Sequence, residues 1–131
     1  MKLGYVILYV PSVADAVDFY ESAFGLECRF RHGGIEGDYA EMETGQTALA
    51  FVSETLADSH GFGYRKTNVQ SEAPSIEVAL VTDDVSAAYD RAIAAGAIAV
   101  KAPAQQPWGQ TISYVRDNNG YLVEICSPVA K

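Results

Sequence analysis

Residues 5–26 read YVILYVPSVADAVDFYESAFGL, and the fold turns on how this stretch is divided. The run Tyr5–Tyr9 is short, apolar and closed by Pro11, which is the pattern of a strand. From Val13 the period changes. Ala16, Val17, Phe19, Tyr20 and Phe24 recur at helical spacing and predict a helix over about Val13 to Phe24. Ser12 is suited to cap its first turn, and Gly25 to stop it.

The same parsing works a second time. Ile76–Val81 reads as a strand, and Asp83-Asp84-Val85 leads into a helix carrying Val85, Ala88, Tyr89, Ala92 and Ile93 on one face and ending at Gly96. A shift of 72 positions pairs Leu8 with Leu80, Val13 with Val85, Ala16 with Ala88 and Asp18 with Asp90. Three strand-like runs follow each helix: Glu27–His32, Tyr39–Glu43 and Thr47–Val52, then Ala97–Lys101, Thr111–Arg116 and Tyr121–Cys126. The last two are joined by Asp117-Asn118-Asn119-Gly120, where Asn-Gly suits a tight hairpin with positive φ at both residues. The expected fold class is therefore α+β. Two tandem βαβββ modules, residues 1–52 and 75–131 with a polar linker at 53–74, form one domain of 131 residues whose curved sheets enclose a cleft.

Composition narrows the function. Hydrophobic residues make up 49% and charged residues 20%, an ordinary globular balance. No apolar run is long enough to span a bilayer, and the start lacks the apolar core of a signal peptide, so a cytoplasmic protein is expected. The net charge of −8 repels nucleic-acid phosphates and anionic lipid and disfavours both as partners. Cys28 and Cys126 lie far apart in unrelated contexts and read as two buried thiols.

Tyr9-Val10-Pro11-Ser12-Val13 through Phe19-Tyr20-Glu21, then Ala23-Phe24-Gly25-Leu26, and finally Arg116 to Ile125 resemble the opening and closing signatures of vicinal-oxygen-chelate proteins. This is the glyoxalase/bleomycin-resistance/dioxygenase superfamily, and Pro107-Trp108-Gly109-Gln110 is similar to the segment that leads into its penultimate strand. The resemblance implies a homodimer. It also implies that metal-dependent members place one ligand on the first and one on the last strand of each module. Carried over, those positions are Tyr5, one of Ala48, Leu49 or Ala50, Glu77 and Glu124, a set with two carboxylates and no imidazole. His32 and His60 match no ligand position. The expectation is thus no metal cofactor, with a divalent ion (Mn, Ni, Fe or Zn) on Glu124 and Glu77 as the alternative.

Strand alternation places Tyr5, Ile7 and Tyr9 on one face, Glu77, Ala79 and Val81 on another, and Leu122, Glu124 and Cys126 on a third. Tyr5, Glu77, Trp108 and Glu124 are the candidate ligand-binding residues, and Glu77 and Glu124 the candidate catalytic ones. Two carboxylates close together can serve as an acid–base pair, clamp a cation, or engage Arg65 or Arg116 structurally. Phe62, Tyr64 and Arg65, with Gly61 and Gly63 among them, have the composition of a mobile flap. Sequestration of a small planar or cationic compound without metal is the first functional expectation. A glyoxalase-I-like lyase or isomerase, or a dioxygenase, is the alternative.

Overall fold

The computed structural model describes residues 1–33 and 37–129. Gly34, beside His32, and residues 130 and 131, the end of the expected second module, lie outside them. The chain divides into two compact units, Met1–Lys66 and Thr67–Lys131.

In the first unit, strand β1 (Tyr5–Val10) is followed by helix α1 (Val13–Phe24), strands β2 (Cys28–His32), β3 (Tyr39–Met42) and β4 (Ala48–Ser53), and a short helix α2 (Glu54–Asp58). Helix α1 starts where Ser12 accepts a hydrogen bond from the Asp15 amide, and it ends at Gly25 with φ 68°. Its Val13, Ala16, Val17, Phe19, Tyr20 and Ala23 are buried, with the Tyr20 ring 5.0 Å from that of Phe51 on β4. Each large side chain buried in this layer contributes about 1.5–3 kcal/mol. The sheet order is β1-β4-β3-β2: β1 and β4 pair in parallel, and the other pairs are antiparallel.

The second unit repeats this plan with β5 (Glu77–Val81), α3 (Val85–Ala94), β6 (Ile98–Gln105), β7 (Thr111–Arg116) and β8 (Leu122–Cys126). Its order, β5-β8-β7-β6, again sets first against last in parallel. Asp84 caps α3 through the Ala87 amide. That helix packs on β6, β7 and β8, and the residues alternating onto its side, Ser113, Val115, Val123 and Ile125, are buried. Ser113 meets its burial by donating to the Ile125 carbonyl at 2.9 Å.

Three local expectations are corrected. Residues 53–74 are not loop throughout, because Ser53 accepts from the Leu56 amide and starts α2. Cys28 is only half-buried, while Cys126 is buried; both are free thiols. The β7–β8 turn has no positive φ at Asn119, only at Gly120 (91°). The buried Asp117 side chain takes over instead: its carboxylate accepts from the Asn119 and Tyr121 amides, each at 2.9 Å, and builds a wider loop.

This loop is clasped to the start of the unit. Arg116 donates from Nε to the Gly120 carbonyl at 2.8 Å and from Nη2 to the Asn68 carbonyl at 3.1 Å. A Cβ at Gly120 would lie 2.5 Å from the Asn68 oxygen and 2.7 Å from Arg116 Nη2, whereas one at Gly45 meets nothing within 4 Å. Both glycines have positive φ. Gly45→Ala is therefore expected to cost about 1 kcal/mol for the backbone, and Gly120→Ala about 2–4 kcal/mol through added overpacking. Urea unfolding of the two variants measures the difference, and equal losses would argue against the clasp.

Candidate functional site

In the second unit, the face turned away from α3 collects Glu77 from β5, Leu122, Glu124 and Cys126 from β8, and Ile112, Tyr114 and Arg116 from β7. Register explains the grouping. Glu124 pairs with Ala79 on one side and Tyr114 on the other, so Glu77, two residues from Ala79, lies diagonally across from it. Tyr114 donates its hydroxyl to Glu124 Oε1 at 3.0 Å.

Partial desolvation raises the Glu77 carboxyl above the usual carboxylate range, helped by a side-chain hydrogen bond to Glu124 and by that neighbour's charge. Burial and the same carboxylate hold the Tyr114 phenol neutral, pushed up to about 12, and the Cys126 thiol, pushed up to about 11. A thiol protonated in this way is a poor nucleophile. Arg116 is committed to the Gly120 and Asn68 carbonyls, and among the described residues of this unit no cation pairs with Glu77 or Glu124. The face can therefore pass a proton between two carboxylates or receive a positive charge.

Trp108 stands apart from this group. It occupies the β6–β7 turn, 57% exposed, with its indole N–H donating to Gln110 Oε1 at 2.8 Å. Gln110 is anchored in turn to the Ser127 carbonyl at 2.9 Å. Three residues of strand, roughly 10 Å, separate the start of β7 from the row of Tyr114.

Tyr5 belongs to the first unit, on the face that also carries Ile7, Tyr9, Ala48, Ala50, Val52, Tyr39, Glu41 and Phe30. Ile7 pairs with Ala50 as Ala79 pairs with Glu124, so Ala50 holds the place of Glu124 in this half. A methyl group cannot bind a metal. The carboxylate here comes from the next strand: Glu41 pairs with Ala50, in the place that Tyr114 takes in the second unit. Glu41 accepts from the Tyr39 hydroxyl at 2.7 Å and from Arg29 Nε at 2.9 Å, and the Tyr39 bond, with Arg29 next, lowers its pKa. Arg29 reaches it because β2 bulges between Cys28 and Phe30, where two residues oppose one.

Sequence reading did not single out Arg29, Tyr39, Glu41 or Tyr114. The spacing of Tyr39 and Glu41, two residues apart on one strand, was the available signal; the bulge left none. The Gly-flanked segment does not lie loose either. Tyr64 donates to Asp58 at 2.7 Å and packs edge-on against Tyr9 at 4.9 Å, and Lys66 pairs with Glu54 and Asp58. Among the described residues, no group of three or more His, Cys, Asp or Glu side chains is placed to hold a metal ion.

Two βαβββ units, each pairing its first and last strands in parallel within an open four-stranded sheet, define the vicinal-oxygen-chelate class of α+β proteins. The chain belongs to the Glyoxalase/Bleomycin resistance protein/Dioxygenase superfamily, whose model matches residues 2–125. A probable lactoylglutathione lyase from Vibrio cholerae is 26% identical over 127 residues, covering 95% of this chain and 88% of the relative. The crystal structure of a glyoxalase-related enzyme from Fulvimarina pelagi matches with a TM-score of 0.80 at 20% identity, covering 98% of this chain and 88% of that one. TioX from Micromonospora sp. ML1 matches with a TM-score of 0.73 at 25% identity, covering 97% and 98%. No membrane-spanning helix is present among the described residues.

The two carboxylates have opposite pH signatures. Glu77 binds its proton more tightly when folded, so its effect weakens the fold as pH rises from the usual carboxylate range through the raised value. Glu41 contributes stability that is complete above that range and is lost as pH falls through its lowered folded value. Glu77→Gln should flatten the first slope. Tyr39→Phe should cost about 1–2 kcal/mol near neutrality, and should make the acid loss smaller and end it at a higher pH. Thermal melts across pH test both, and unchanged slopes would contradict these assignments.

Proposed function

We propose that the protein sequesters a small, planar, cationic compound without a bound metal, on the open face of the second sheet. The observation that carries this reading is the placing of Glu77 and Glu124 as diagonal neighbours on adjacent strands beside Tyr114, with no cation paired to either among the described residues of that unit. Two adjacent carboxylates repel each other when both are ionised, and an approaching cation relieves that repulsion. Trp108, exposed at the hairpin tip, offers a ring on which a planar ligand can stack. The ligand is a small molecule rather than nucleic acid or membrane, given a net charge of −8. The protein acts as a cytoplasmic homodimer.

The likeness to a probable lactoylglutathione lyase favours a second reading, a lyase or isomerase with a divalent ion on Glu77 and Glu124. The donor chemistry fits it poorly. The corresponding first-unit positions are Tyr5 and Ala50, neither of them an imidazole, and Glu41 is already engaged by Arg29 and Tyr39.

Proflavine, a planar fluorescent cation, tests the first reading by anisotropy titration. Binding is expected in the presence of a chelator and should weaken about tenfold in Glu77→Gln or Glu124→Gln, the loss of one charge-assisted contact. Chelator-sensitive binding, with near-stoichiometric metal by plasma mass spectrometry, would transfer support to the lyase reading.

A further inference from the structure

The β7–β8 loop carries an asparagine followed by a glycine, Asn119-Gly120, the pairing most open to spontaneous loss of the asparagine amide. In that reaction the glycine backbone nitrogen attacks the asparagine Cγ. A new C–N bond forms, the carboxamide C–N bond breaks, and ammonia leaves with the proton that the glycine nitrogen gives up. Water then opens the five-membered imide at one of its two carbonyls. The product is aspartate, or isoaspartate with the backbone rerouted through the side chain. Glycine favours the attack because it has no Cβ to hinder it, but the peptide between the two residues must be free to turn.

Here Gly120 is held on three sides. Its amide donates to the Asp117 carbonyl at 3.1 Å. Its own carbonyl accepts from Arg116 Nε at 2.8 Å, and the same guanidinium runs on to the Asn68 carbonyl. Its Cα lies so close to Asn68 that a Cβ would meet the carbonyl carbon of that residue at 2.6 Å. On the other side of the reacting peptide, the Asn119 amide donates to Asp117 Oδ1 at 2.9 Å. Gly120 is buried and Asn119 half-buried, so the side chain to be attacked is open to water while the nucleophile is tied down.

We infer that Asn119 is a deamidation site gated by its own loop, closed while Asp117 and Arg116 hold Gly120 and open when they release it. Turning the peptide toward the side chain breaks the bond from the Gly120 amide to Asp117 and disturbs the alignment that Arg116 needs. The rate therefore follows the fraction of time the loop stands open. The reaction runs one way. Aspartate sets a second carboxylate two residues from the buried Asp117, and isoaspartate adds a methylene to a turn whose ends are fixed by the β7–β8 register. Either product opposes reclosure. Tyr114 and Glu124 stand on the two strands that this loop joins.

Peptide mapping by mass spectrometry, with isoaspartate separated from aspartate by chromatography, follows the reaction during incubation at mildly alkaline pH. An end-blocked synthetic peptide covering Arg116 to Leu122 gives the ungated rate. Deamidation at Asn119 in the folded protein is expected to be at least about tenfold slower than in this peptide. Arg116→Gln removes both guanidinium bonds and should recover most of that factor. Equal rates in the folded protein and the peptide would overturn the inference, and so would an Arg116→Gln rate no faster than that of the unaltered protein. Asn119→Gln should abolish the modification, and its undiminished persistence in the same segment would assign it to Asn118 instead. If Arg116→Gln does not fold, hydrogen exchange in the unaltered protein decides. The Gly120 amide should be protected, and urea below the unfolding transition should speed its exchange and the deamidation in parallel. An unprotected amide, or deamidation that does not follow the exchange, sinks the assignment.

Discussion

In each half of the molecule the first and last strands lie side by side and run the same way, β1 with β4 and β5 with β8. A parallel pair cannot be closed by a tight turn. The chain must travel away and return, and it does so through one helix and two antiparallel strands. Once that pairing is set, alternation along the strands decides which residues meet the helix and which are left to the other face. Leu49 and Phe51 go one way, Ala48 and Ala50 the other; Val123 and Ile125 go one way, Leu122 and Glu124 the other. The candidate residues Tyr5, Glu77 and Glu124 fall on the second of these faces.

Much of this was legible because the signals are local. Ser12 and Gly25 bracket a helix with a clear apolar face, and the 72-residue offset carries the same plan into the second half. Period-two alternation gave the side of its own strand on which Glu77 and Glu124 each lie, and the parallel register of β5 with β8 joins those sides into one face. Reading failed where a side chain overrode a backbone preference. Asn119-Gly120 has the composition of a two-residue hairpin, but Asp117 offers its carboxylate to two amides of the loop, and that geometry prevails. The bulge at Arg29 was illegible for a different reason. An extra residue in a strand leaves no mark on composition, yet it shifts the alternation of everything before it.

The halves share a backbone plan and have diverged in their polar groups. Each retains one tyrosine hydroxyl donating to one glutamate: Tyr39 to Glu41 in the first, Tyr114 to Glu124 in the second. The first is held by a phenol and a guanidinium, which together lower its pKa; the second has another acid, Glu77, as its diagonal neighbour. The same two residue types thus stand beside a cation in one unit and beside a second acid in the other. Their differing neighbours, Arg29 and Glu77, account for the contrast.

The clasp from Arg116 to Asn68 also bears on where the second half begins as a physical object. Its first strand starts at Glu77, but the carbonyl that receives the guanidinium lies nine positions earlier, in a stretch that composition alone assigns to a tether. Cutting the gene in front of the strand would discard this anchor and leave the β7–β8 loop without its outer restraint. Cutting in front of Thr67 would keep it. The irregular stretch from there to the strand is a working part of the second unit's architecture, and any exchange of halves between relatives has to carry it along.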